Sequence, residues 1–242
     1  MTKRKRMPSD AIVDIDRLDW PDIARRLDRD GFATTGRLLP ARLCTQLIRL
    51  YDTPVFRSRV VMSRHNFGEG EYKYFAEPLP AEIRAIRELA YAHLAPIARA
   101  WAPALGLVTP FPDRLDDFRK ICREQGQTKP TPLLLSYHAG GYNCLHQDLY
   151  GAVVFPLQLA ILLSRPGRDF DGGEFLLVEQ RPRAQSRGHV VPLAEGEGVI
   201  FAVRQRPVSG RRGTYRTNLR HGVATLRRGR RFTLGIIFHD AA

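Results

Sequence analysis

The stretch Asn143-Cys-Leu-His-Gln-Asp-Leu-Tyr-Gly151 sets a histidine and an aspartate two positions apart beside hydrophobic residues. In an extended segment the side chains at i and i+2 point to one face, so His146 and Asp148 can reach one ligand while Gln147 points away. By itself the pair admits two readings: half of a metal site, or two polar side chains at a strand end. A third ligand must come from a distant strand. Arg220-His-Gly-Val223 supplies His221, 75 residues after His146, where an apolar-alternating strand meets a turn.

Two imidazoles and one carboxylate on a single face leave three positions open on an octahedral Fe(II), the arrangement that non-haem iron oxygenases use. Ten residues beyond His221 comes Arg231, in Gly229-Arg-Arg-Phe-Thr-Leu234. Arg231 and Thr233 share one strand face, and Phe232 and Leu234 share the other. An arginine there can pair bidentately with a carboxylate held in the barrel, which lysine does less specifically. Arg230 is the neighbouring candidate for that role.

The same chemistry depends on a β framework, and the sequence around the motif provides one. From about residue 131, short apolar runs separated by turn residues occur at 133–137, 153–163, 174–178, 190–193, 198–203, 217–223 and 232–238. This spacing predicts an antiparallel sandwich or jelly roll. The first half reads as helical. Asp19-Trp-Pro-Asp22 predicts a helix start, with Ile23 and Leu27 at helical spacing and Gly31 as its stop. A short extended piece follows over 32–38, Pro40 opens a second helix with Leu43, Leu47 and Leu50, and 80–102 reads as a third. The segment 63–75, rich in glycine, aromatic and charged residues, reads as a mobile loop or lid. The expected organisation is a basic disordered tail over 1–10, a helical support layer with the lid over 11–130, and a β core over 131–242, in one compact domain.

A chain of 242 residues can bury a full core. With no apolar run near the roughly 20 residues of a membrane span, and no hydrophobic leader in MTKRKRMPSD, a cytoplasmic protein with no membrane partner is expected. Three cysteines at wide, irregular spacings form neither a disulfide framework nor a zinc knuckle. The 38 basic residues outnumber the 25 acidic ones, and thirteen arginines fall between 181 and 231 against only Glu195 and Glu197. That field suits a polyanion, nucleic acid above all, or is a generic arginine-rich surface.

Several motifs in order carry a resemblance over roughly residues 131–240: Tyr137-x-x-Gly140, His146-x-Asp148, Asp171-Gly-Gly-Glu174, Pro192 with 196–201, His221-Gly-Val, and Gly-Arg-Arg231-Phe-Thr-Leu. Together they resemble the Fe(II)/2-oxoglutarate-dependent dioxygenase superfamily, in its prolyl-4-hydroxylase-like bacterial branch. Asp30-Gly-Phe-Ala33 is similar to the opening strand of such enzymes. The resemblance implies a mainly β fold with helices (α+β), a double-stranded β-helix under an N-terminal helical layer. It further implies that His146, Asp148 and His221 hold Fe(II), that Arg231 binds the distal carboxylate of 2-oxoglutarate with help from Tyr137 and Thr233, and that O2 takes an open position. The products would be succinate, CO2 and a hydroxylated substrate. Tyr137, nine residues before His146, and Leu145-His-Gln-Asp148 are also similar to AlkB-type nucleic-acid demethylases. Leu135 stands where that family has an asparagine, and Ile237 where it carries a further arginine.

The substrate reading turns on 63–75. Phe67, Tyr72 and Tyr74, interleaved with Arg64 and Lys73, could stack a flipped or single-stranded base while the cations hold phosphate. They could equally form the apolar side of a lid over a peptide or small molecule. The expectation is oxidative repair of alkylated DNA, with prolyl or small-molecule hydroxylation as the alternative. A catalytically silent nucleic-acid-binding barrel is the reading from another class.

Overall fold

A computed structural model describes residues 15–211 and 213–242. The expected basic tail at 1–10, and Arg212 of the thirteen arginines, lie outside the described residues. Helix α1 (Trp20–Asp30) starts where the sequence predicts: the Asp19 carboxylate accepts the Asp22 amide at 2.9 Å, and Gly31 closes the helix at φ 80°. Strand β1 (Phe32–Arg37) and helix α2 (Ala41–Arg49) follow, then α3 (Ala81–Leu105) and α4 (Leu115–Glu124). Ile83, Ile86, Ala90 and Leu94 bury one face of α3. No described helix is long and apolar enough to cross a membrane.

The first half also contributes β2 (Phe56–Val61), β3 (Gly68–Glu69) and β4 (Glu71–Phe75). These correct the expectation of a loop or lid over 63–75. Residues 62–65 form a 3-10 turn, and β4 is paired on both sides, with Tyr72 opposite Val60 of β2 and Leu135 of β5 (Leu133–His138). Strand pleating explains the change. Tyr72 and Tyr74 alternate with Glu71 and Lys73, and each set has its own partners. The Glu71 carboxylate accepts from the Tyr51 hydroxyl and from Arg59, and Lys73 Nζ donates to the Tyr51 carbonyl at 2.7 Å. The charges that suggest a loop are the outer edge of a half-buried strand.

The remaining strands are β5 (Leu133–His138), β6 (Tyr142–His146), β7 (Leu157–Leu162), β8 (Phe170–Gly172), β9 (Phe175–Gln180), β10 (Arg187–Val191), β11 (Glu197–Ala202), β12 (Gln205–Gly210), β13 (Gly213–Val223) and β14 (Leu226–Ile236). All pair antiparallel, in two sheets. One runs β1-β11-β7-β14-β5-β4-β2 with β8 joined to β14; the other runs β10-β9-β13-β6-β3 with β12 joined to β13. This is a jelly-roll core. Along β14 the pleat divides the labour: Phe232, Leu234 and Ile236 enter the main core, while Arg231, Thr233 and Gly235 line a cavity.

A buried arginine ties the helical layer to the last strand. Arg87 of α3 donates to the carbonyls of Ile237 and Phe238 and to Asp240 Oδ1, at 2.9, 3.0 and 2.8 Å. Arg87 and Asp240 are both 1% exposed as side chains. Removing Arg87 takes the donor from the buried carbonyls of Ile237 and Phe238, while Asp240 keeps Arg119, whose Nε donates to Oδ2 at 2.8 Å. Arg87→Met is therefore expected to lower the unfolding free energy by about 1–3 kcal/mol in chemical denaturation.

Candidate active site

Strands β6 and β13 run side by side, with His221 directly opposite His146. Their rings lie 4.1 Å apart between centroids. Asp148, two residues past β6's end at His146, brings its carboxylate between them: Oδ1 is 3.6 Å from His146 Nε2, and Oδ2 is 3.3 Å from His221 Nε2. One ligand atom from each residue lies within 4.8 Å of the others, so the three could hold a metal ion. Gln147 turns away, its amide donating to the Leu219 carbonyl at 2.7 Å.

The protonation states suit a metal. Burial pushes the Asp148 carboxyl up, but the hydrogen bond and charge of His221, with His146 and Tyr150, outweigh it and hold the group well below the usual carboxylate range. Burial, and then the neighbouring His146, push His221 down, so it is a neutral imidazole near pH 7. Outer partners fix the set. His146 Nδ1 contacts the Cys144 carbonyl at 2.8 Å, and the Tyr150 hydroxyl donates to Asp148 Oδ1 at 2.6 Å. Gln158 of β7 donates to Asp148 Oδ2 at 2.9 Å. Neither Tyr150 nor Gln158 emerges from the sequence reading. Tyr150 lies inside the quoted motif, and the signal for Gln158 is a single amide within the apolar run 153–163.

These residues form part of a cavity of about 320 Å3 whose wall also includes Arg231, Thr233 and Tyr137. Arg231 is buried, and burial pushes its guanidinium down to about 10, still charged at neutral pH. Nη1 donates to Thr233 Oγ1 at 2.6 Å, while Nε is buried with no partner among the described residues. Arg231 also faces Tyr137 across the β14–β5 pair. Tyr137 is fully buried, and its hydroxyl accepts from Asn143 Nδ2 at 3.2 Å. Arg230 points to the opposite face, donating to Ser136 Oγ at 3.1 Å and lying over the Phe232 ring. The donor set fits Fe(II), and the unfilled cation fits an anionic co-substrate.

The five aromatic and basic residues of 63–75 separate. Phe67, 46% exposed, and Tyr72 line the cavity. Gly68, at φ 129°, makes Phe67's placement possible: a Cβ there would lie 2.4 Å from the Tyr142 carbonyl, and this close approach lets β3 lie on β6. Tyr74 is buried behind Tyr72, with rings 5.4 Å apart. Arg64 is exposed on the 3-10 turn. Lys73 is on the other side of β4, over the Tyr51 ring, and cannot act beside Tyr72. The arginine-rich segment divides too. Arg206 and Arg231 are internal, Arg206 being paired with Glu179 at 2.7 Å. Arg183, Arg187, Arg204, Arg211 and Arg220 are exposed.

Comparison with solved structures gives the same architecture. A prolyl-4-hydroxylase of Pseudomonas putida superposes with TM-score 0.52 at 15% identity, over 92% of this chain and 100% of that one. An oxidoreductase of the 2OG-Fe(II) oxygenase family from Burkholderia pseudomallei gives 0.50 at 16% identity, over 93% and 94%. At such identities the likeness is one of fold. The model of the Oxygenase-NA family, described as an oxygenase catalysing oxidative methylation of damaged DNA, matches residues 70–241. The chain belongs to that family and is an oxygenase, an oxidoreductase, with the fold of the 2OG-Fe(II) oxygenases. A relative from Mycobacterium tuberculosis H37Rv, "Uncharacterized protein Rv2227", is 51% identical over 168 residues, 69% of this chain and 72% of that protein. Its counterpart in strain CDC 1551 matches equally.

If the three clustered side chains bind a divalent ion, Asp148→Ala is expected to weaken Mn2+ binding in calorimetric titration. The loss should exceed the roughly 10- to 100-fold cost of removing an outer-sphere partner.

Proposed function

We propose that this oxygenase removes alkyl groups from nucleic acid, alkylated DNA above all, by hydroxylating the attached carbon. One arrangement carries the reading: His146, Asp148 and His221 lie within a single cavity with Arg231, and the half-exposed ring of Phe67 stands at its wall. The family description supports the substrate class, and the exposed arginines support a polyanionic partner. Free thiols at Cys44, Cys122 and Cys144 accord with a cytoplasmic place of action.

His146, Asp148 and His221 would hold the iron through one ligand atom each, at the wall of the cavity. Bound there, Fe(II) with 2-oxoglutarate and O2 supplies an oxidation that yields succinate, CO2 and a hydroxylated carbon. Arg231 receives the distal carboxylate of the co-substrate through the guanidinium edge that Thr233 does not occupy. Tyr137 closes the wall beside it. Phe67 and Tyr72 offer aromatic surface to a base, so the nucleotide must leave its stack to present the alkyl carbon. For an N-methyl group, the hydroxylated product collapses to formaldehyde and the free amine. A silent barrel is set aside by membership in an oxygenase family.

Incubation with N-methylated single-stranded oligonucleotides is expected to give formaldehyde and succinate in equal amounts. A hydroxylated prolyl peptide formed without formaldehyde release from any oligonucleotide would overturn the substrate reading. Arg231→Ala should raise the 2-oxoglutarate requirement about 10- to 100-fold, the cost of one or two charge-assisted hydrogen bonds. Arg231→Lys should recover only part of it. Phe67→Ala should raise the oligonucleotide KM about 10-fold through one lost stacking contact, with the 2-oxoglutarate KM unchanged.

A further inference from the structure

Strand β12 joins its sheet only through β13, and β9 pairs with β13 only from Asn218 to Val223. From Thr217 back to Gly213, β13 therefore pairs with β12 alone, and Gly213 lies opposite Gly210 at the far end. The two strands make a hairpin that runs on past the sheet. It is braced from inside. Arg206 pairs with Glu179 and donates to the Asp28 carbonyl at 2.7 Å, and Arg216 Nε donates to the Ala104 carbonyl of α3 at 2.9 Å. Its root is clipped to the site. Gln147 donates to the carbonyls of Leu219 and Arg204 at 2.7 and 3.3 Å, and the Leu219 amide donates to the same Arg204 carbonyl at 2.7 Å.

The charge on this hairpin is of one sign. Residues 204–221 hold six arginines and no aspartate or glutamate. Arg204, Arg211 and Arg220 are exposed and have no carboxylate partner among the described residues, unlike Arg227 and Arg228 beside Glu174 and Asp171. Exposed hydroxyl and amide groups of Ser209, Thr214 and Asn218 lie among them, and no large apolar side chain is exposed over the described part of 204–220. A protein partner is held by apolar or aromatic anchors at the centre of its interface. A phosphate chain needs cations and hydrogen-bond donors. Strand addition is disfavoured as well, because Pro207 interrupts the N–H groups of β12, an edge strand.

We propose that the β12–β13 hairpin is a nucleic-acid-binding arm, in which Arg204, Arg211 and Arg220 hold phosphates of the strand on one side of the nucleotide in the cavity. The proposal rests on nucleic acid being the substrate class. Gly213 to Arg220 spans roughly 23 Å at the rise of a β-strand, so the arm reaches about seven nucleotides of a B-form strand. Because the braces on Asp28 and Ala104 fix the hairpin before a partner arrives, little ordering entropy is lost on contact.

Anisotropy titration with an unmodified single-stranded oligonucleotide, repeated over a series of salt concentrations, tests the arm without turnover. Each phosphate contact on a single strand contributes about 0.7 to the slope of log K against log salt, so the triple variant Arg204→Gln, Arg211→Gln, Arg220→Gln is expected to flatten it by about 2. Arg42→Gln, Arg49→Gln, Arg123→Gln removes the same charge from exposed positions on α2 and α4 and should leave the slope unchanged. Arg204→Lys, Arg211→Lys, Arg220→Lys should also keep it. Equal flattening by the two glutamine triples overturns the arm, because net charge alone then accounts for binding. A second measurement needs no variant to fold: bound oligonucleotide should shield Arg204, Arg211 and Arg220 from phenylglyoxal, and their undiminished modification overturns the arm. Displacement of the oligonucleotide by polyglutamate at equal charge overturns the choice of nucleic acid over an acidic protein. The substrate reading fails separately. Slope loss confined to the arm triple, with no formaldehyde from any methylated oligonucleotide, upholds the arm and overturns dealkylation.

Discussion

The site depends on the register between β13 and β6. His221 sits opposite His146 in that pairing, and on its other side opposite Leu177 of β9. A slip of one residue would turn His221 to the outer face and bring the exposed Arg220 inward. The buried neighbours Thr217 and Leu219 hold the register, because they share the inward face with His221 and would be lost with it. The clustering of the three side chains is thus a by-product of packing. The strands are fixed by apolar burial, and the polar atoms are brought to 3–4 Å by the same alternation.

That dependence explains what the sequence made legible. The i, i+2 spacing of His146 and Asp148, the distant His221, and the shared face of Arg231 and Thr233 are all statements about pleat, and pleat is local. The α1 cap at Asp19 and stop at Gly31 are local as well. The segment 63–75 is different. Its glycines and charges look like a loop, and only the pairing of β4 with β2 and β5 gives Glu71 and Lys73 their partners on Tyr51 and Arg59. Gln158 was illegible for the same reason: one amide among apolar residues has meaning only when Asp148 and His221 are seen beside it.

Charge is the least legible quantity. Thirteen arginines in a row of fifty residues suggest a uniform basic surface, yet Arg206 is an internal partner of Glu179 and Arg231 is a cavity wall. Arg227 and Arg228 face Glu174 and Asp171 at 3.8 and 2.8 Å, which neutralises part of that surface near β8. The field that remains comes from fewer residues than the count implies, and these are set on β10, β13 and the turns around them.

The contact between His146 and the carbonyl of Cys144 has a consequence for how such a site drifts over evolutionary time. The group that orients the imidazole belongs to the main chain, so the side chain at 144 carries no share of that task and is exposed. Substitution there can proceed without moving the imidazole, provided the strand persists. A family alignment would then show variation two positions before His146, and geometry would be inherited where identity is not.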